Sequence, residues 1–155
     1  MLSKPICGWT NFSLGSCKYE LGYLTNIPID WLDSAISGLQ ALRPFTVNGH
    51  CEPGRFLCTV SYWNCHIIFE DDENVKLDKS SAEWHIVHIN MLQFCEMLYK
   101  DINSFIDNWA GGWSYEDLSK EERDKIKEKI SARLAKLQML IEKRAECFGP
   151  DRCFG

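Results

Sequence analysis

Hydrophobic positions recur along this chain with two different periods, and the switch between them divides it into a strand-rich first half and a helical second half. From residue 120 to about 146, Ile126, Ile130, Leu134, Leu137 and Ile141 return at a 3.6-residue period while Lys and Glu fill the other face, which predicts a surface helix. Ser119-Lys120-Glu121-Glu122 supplies its start, because in a Ser-x-x-Glu box each side chain satisfies an orphan amide of the first turn. The same spacing at Ser80-Ser81-Ala82-Glu83 predicts a second helix over 81–109, with Ile86, Ile89, Leu92, Cys95, Tyr99, Ile102, Ile106 and Trp109 in one stripe and Phe94, Met97, Leu98 and Phe105 widening it. A helix apolar over so much of its circumference belongs in the centre of a fold. Ala110-Gly111-Gly112 ends it, and the short connection to Ser119 favours an antiparallel pair.

A shorter helix opens at Asp30, places Trp31 or Leu32, Ala35 or Ile36, Leu39 and Leu42 on one face, and stops at Pro44. Around it, residues 19–25, 45–47 and 55–69 are rich in β-branched and aromatic side chains and read as strands, with turns at Asn48-Gly49 and Pro53-Gly54. The acidic run ending before Asn74 reads as a turn, with Val75-Lys76-Leu77 returning as a short strand. The expected fold is therefore α+β: a small antiparallel sheet with a short helix and a C-terminal antiparallel pair of long helices. Residues 1–146 form a single domain on this reading, and Pro150 with Gly149 and Gly155 leaves 147–155 as a loose tail.

Composition adds a compartment and a sign. At 155 residues, 45% apolar and 25% charged, the chain suits one globular domain. The start lacks the apolar run of a secretory signal, and no window approaches the ~20 apolar residues of a membrane span, so a cytoplasmic protein is expected with its eight cysteines reduced. Residues 1–118 carry 15 Asp or Glu against 7 Lys or Arg, a net −8, while 119–155 carry 7 against 10. That acidic body opposes direct binding of nucleic acid, whose affinity comes from neutralised phosphates.

Catalytic and metal chemistry find little support in the residue spacing. Cys51, Cys58 and Cys65 fall every seven residues beside His50 and His66, yet zinc half-sites place ligands two to four residues apart, and positions seven apart on one extended strand face opposite ways. Cys58 and Cys65 can converge only if the strand bends between them. His85 and His88 would share a face of the predicted helix without the intervening Glu of a zinc protease. Neither a nucleophile elbow nor a phosphate-cradling Gly-rich loop occurs, so neither enzyme nor cofactor is expected, and Cys/His-based metal binding, redox sensing or catalysis is the alternative.

What the chain does offer is acidity next to aromatic rings. Glu70, Asp71, Asp72 and Glu73 form a run between apolar stretches, and Trp113, Tyr115, Glu116 and Asp117 lie in the loop joining the two long helices. Carboxylates of that kind steer a basic partner, and exposed rings anchor it. In size, acidity, α+β organisation and lack of a catalytic signature, the chain resembles the small acidic bacterial immunity proteins. The resemblance implies a protein partner such as a toxin domain, held by covering its active site, with no membrane involved.

Overall fold

A computed structural model describes residues 1–70, 82–113 and 117–149. Among these residues six strands and four helices follow in the order β1 (Trp9–Leu14), β2 (Cys17–Gly22), α1 (Ile27–Ala41), β3 (Phe45–His50), β4 (Arg55–Val60), β5 (Cys65–Glu70), β6 (Ala82–Val87), α2 (Met91–Ser104), α3 (Ile106–Gly111) and α4 (Lys120–Arg144). All neighbouring strands pair antiparallel in sequence order, so the sheet is one meander with β1 and β6 at its edges. β2 and β3 touch only at Gly22 and His50, where α1 interrupts the meander. The sheet curls: Tyr19 of β2 stacks on Phe69 of β5 with ring centroids 5.0 Å apart, and the β1–β2 turn at Gly15 meets Val87 of β6.

Inside the curl lie Phe12, Leu21, Val47, Phe56, Cys58, Val60, Cys65 and Ile67, closed on one side by Trp31, Leu32 and Leu39 of α1. The aromatic centre is Phe12, Phe56 and Trp31, with Trp31 Nε1 donating to the Asn48 carbonyl at 2.7 Å. Gly38 brings α1 against Phe45, since a Cβ there would sit 2.2 Å from the Phe45 ring. α4 then packs against α1, α2 and α3 through Ile130, Leu134, Leu137 and Leu140.

The mixed α+β class is as expected, but the pair of long helices is not. α4 runs 25 residues from its Ser119–Glu122 capping box, whereas the stretch expected as one helix over 81–109 is three elements. Residues 82–87 are a strand: Trp84 and Ile86 alternate with Glu83 and His85, and β-branched Ile86 and Val87 favour extended backbone. The helix begins only after Asn90, whose side chain accepts from the Gln93 amide while the Gln93 side chain accepts from the Asn90 amide, both at 2.9 Å. It breaks again at Phe105, giving a 14-residue α2 and a 6-residue α3.

The run at 55–69 is likewise two strands rather than one, folded back at Ser61, whose Oγ donates to the Asn64 carbonyl at 2.8 Å. Asn48-Gly49 is part of β3 rather than a turn, β1 was not anticipated, and α1 starts at Ile27 instead of after Asp30. A 3₁₀ turn at Ala145–Phe148 continues α4, and Phe148 packs on the core. Residues 150–155 and the suggested strand at 75–77 lie outside the described residues.

Candidate partner-binding face

Period-two alternation assigns each residue of β4, β5 and β6 to a face, and the register then lines up residues distant in sequence. On the outer face Leu57 lies opposite Ile68, and Ile68 opposite Trp84; one step along, Thr59, His66 and Ile86 form the next row. Their neighbours on the strand, Phe56, Cys58 and Ile67, are sealed in the core. Leu57, Trp84 and Ile86 instead retain 38%, 56% and 60% exposure, with Ile68 half-buried between them. An apolar row of this kind crossing three strands costs solvation in the free protein, and contiguous exposed apolar surface marks interaction sites in soluble domains.

Each end of the row is structured. At one end Arg55 and Glu70, a cross-strand pair, form an ion pair at 2.6 Å beside a hollow of about 300 Å³ that also takes in His50, Leu57 and Ile68. The β4–β5 turn closes the other end and holds out Trp63 at 77% exposure. That turn is stiff: Ser61 Oγ donates to Asn64, and the Tyr62 hydroxyl donates to the Leu42 carbonyl at 2.6 Å. A cleft of about 790 Å³ opens beside it, lined by Tyr62, Trp63, His88 and Phe148. Holding an indole on a pinned turn lowers the conformational entropy lost when it is buried by a partner.

The sequence-selected site residues fall differently. Glu70 is half-buried, and Arg55 already compensates its charge. Asp71, Asp72, Glu73, Tyr115 and Glu116 lie outside the described residues, and Asp117 is exposed. Trp113 is not an exposed anchor: it is 7% exposed, packs on Trp109 at 5.0 Å, and donates from Nε1 to the Thr25 carbonyl at 3.0 Å. An indole has enough apolar area that folding back after Gly111-Gly112 outweighs exposure to water. Among the described residues the exposed tryptophans are Trp63 and Trp84. Alternation in Glu83-Trp84-His85-Ile86 was the signal for the second, masked by a helical reading of the same stretch.

The thiols converge where one continuous strand would have kept them apart. Because the chain bends at 61–64, Cys58 and Cys65 come to adjacent strands, where Cys58 donates to the Cys65 sulfur and Cys65 donates to the Ile89 carbonyl at 3.4 Å. Donation to Cys65 and burial push the Cys58 thiol far above the usual range, burial does the same for Cys95, and burial holds Cys51 up at about 11. These thiols are protonated at neutral pH, which disfavours them as nucleophiles. His85 is on β6, 3.7 Å from Glu83, and His88 follows the strand, so the two do not share a helix face. Among the described residues no three His, Cys, Asp or Glu side chains gather closely enough to hold a metal ion, and no helix is long and apolar enough to cross a membrane. Comparison with known proteins finds no matching family model, no matching curated protein and no matching solved structure.

Proposed function

We propose that this chain is a non-enzymatic, cytoplasmic protein-binding protein and, in its most concrete form, an immunity protein that neutralises a basic toxin domain by covering it. The observation that carries this reading is the outer row Leu57–Ile68–Trp84 with Ile86 beside it, an apolar surface built by strand register and left open to solvent. Burying such a row against a partner recovers solvation, and a Trp in the middle of an interface is the residue type most often responsible for binding energy. The net charge of −5, with the acidic run 70–73 continuing directly from the end of β5, supplies the sign of the partner. Steering accelerates encounter with a basic surface, and the apolar row sets the rate of release.

The test is capture from the source cell with two baits, the wild type and a Leu57→Ser/Trp84→Ser/Ile86→Ser variant shown by circular dichroism to be folded. The expected result is a basic protein retained by the wild type, bound roughly a hundredfold less tightly by the variant, as loss of a Trp-centred cluster implies, and harmless to cells only when the wild type is co-expressed. Equal retention on both baits would overturn the assignment to this face. A retained protein whose effect on cells is unchanged by co-expression would overturn the toxin-neutralising form.

A further inference from the structure

Between the start of α1, α3 and the N-terminal half of α4 lies a cavity of about 540 Å³, within the roughly 300–1,000 Å³ usual for small-molecule sites. It lies among the helices, and its lining residues come from none of the strands that form the outer sheet face. Tyr23, Trp109 and Trp113 contribute aromatic wall, Ile29 and Ile126 aliphatic wall, and Lys129 a cation. We propose that this cavity binds a small aromatic carboxylate.

The slot's shape and its unmet donors point the same way. Two tilted indoles at 5.0 Å with a phenol nearby favour a flat apolar ring over an aliphatic chain. Among the polar groups, Trp113 Nε1 is committed to the Thr25 carbonyl and Arg133 to Asp33 at 2.8 and 3.1 Å. Trp109 Nε1, by contrast, is buried with no acceptor among the described residues, a condition that costs free energy until an acceptor arrives. Lys125 and Lys127 on the same helix pair with Glu121 and Asp107, each at 2.7 Å, whereas Lys129 pairs with no carboxylate among the described residues. The start of the 15-residue α1 also borders the cavity, but it offers no free amide: Ile27 donates to the Thr25 carbonyl, Pro28 has no N–H, and Ile29 and Asp30 donate to the Asn26 carbonyl.

An ammonium and an indole N–H that both lack an acceptor among the described residues complement an anion. A neutral acceptor can take the indole N–H but leaves the ammonium without a counter-charge, and a carboxylate on an aromatic ring satisfies charge and shape together. The Trp109 nitrogen is closed to water in the empty cavity, so its hydrogen bond forms with a small turn of the ring. That turn makes the Trp109 N–H the reporter of binding.

The experiment titrates the full chain with naphthalene-1-carboxylate and with its neutral counterpart, naphthalene-1-carboxamide, by calorimetry and by ¹⁵N–¹H spectra of the indoles. Trp109→Phe, which keeps an aromatic ring and removes the N–H, assigns the reporter resonance. The expected result is saturable one-to-one binding in which the carboxylate is favoured over the carboxamide by about tenfold, the worth of one charge-assisted hydrogen bond. The Trp109 N–H shifts while the Trp63 and Trp84 signals stay in place, and the exposed-side substitution Lys129→Gln removes most of the preference for the anion. Equal affinity for the two probes, no saturable binding, or a Trp109 signal that does not move would overturn the proposal. Should Trp109→Phe fail to fold, the Lys129→Gln comparison decides on its own.

Discussion

Apolar residues stand on both faces of β4 and β5, among Arg55, Thr59, His66 and Glu70 on the outer one, and they have opposite fates. Phe56, Cys58 and Ile67 point inward and have essentially no accessible surface; Leu57, one residue from Phe56, points outward and keeps 38%. Inside, each apolar side chain meets α1 or the far side of the curl, as Phe56 meets Phe12, Trp31 and Tyr19. Outside, Leu57, Ile68 and Trp84 line up across the strands, and Leu57 and Trp84 stay exposed. Apolarity on the inner face is therefore explained by folding, and apolarity on the outer face is not. A partner is expected at residues whose hydrophobicity the fold does not consume.

The largest test of that contrast is Phe56→Ala, which deletes the centre of the inner aromatic cluster and should cost about 3–5 kcal/mol of stability by denaturant unfolding. A loss near zero would mean the inner face is not packed as described. Gly38→Ala should follow at about 1–3 kcal/mol, because the added methyl meets Phe45 at 2.2 Å and one of the two must move. Tolerance of Ala there would show that α1 does not press on β3.

Alkaline pH probes the inner face without mutation. Cys17, Cys51, Cys58 and Cys95 all have thiols raised from about 9, chiefly by burial except at Cys58, where donation to Cys65 leads, so the native state holds protons that the unfolded chain gives up first. Their contribution is complete below about pH 9 and is lost as pH rises, for Cys51 through about 11. The melting temperature should be flat to about pH 9 and fall above it, less steeply in Cys51→Ala; a flat profile to pH 11 would contradict the burial of these thiols. The smallest expected effect belongs to the outer face, where Trp84→Ser with Ile86→Ser should change stability by no more than about 0.5–1 kcal/mol, as surface substitutions do. A large loss would place Trp84 in the fold's own packing and remove the reason to assign it a partner.

How much of this was legible in the sequence follows from how local each feature is. α4 was, because Ser119, Glu122 and the spacing of Ile130, Leu134 and Leu137 all sit within one element. The Pro53-Gly54 turn was too, since Gly54 has φ of +106°, which a side chain would disfavour. β6 was not: Ile86, Ile89, Leu92 and Cys95 share a three-residue spacing that imitates a helix across a strand, a connection and a true helix. The bend at Ser61-Tyr62-Trp63-Asn64 carries neither Gly nor Pro, so 55–69 read as one strand, and the convergence of Cys58 with Cys65 was hidden with it. The candidate face was the least visible feature. Leu57, Ile68 and Trp84 become neighbours only through the register of two hairpins, and register is a property of the whole sheet.

The most direct measurement compares two folded variants for binding to the captured basic partner: Trp84→Ser/Ile86→Ser, which strips the outer row, and Glu70→Gln/Asp71→Asn/Asp72→Asn/Glu73→Gln, which strips the acidic run. The first should raise the dissociation rate by at least ~10-fold with little change in association, while the second should slow association and flatten its salt dependence. Unchanged dissociation in the first variant would contradict the claim that the outer face of β4, β5 and β6 is where this protein holds its partner.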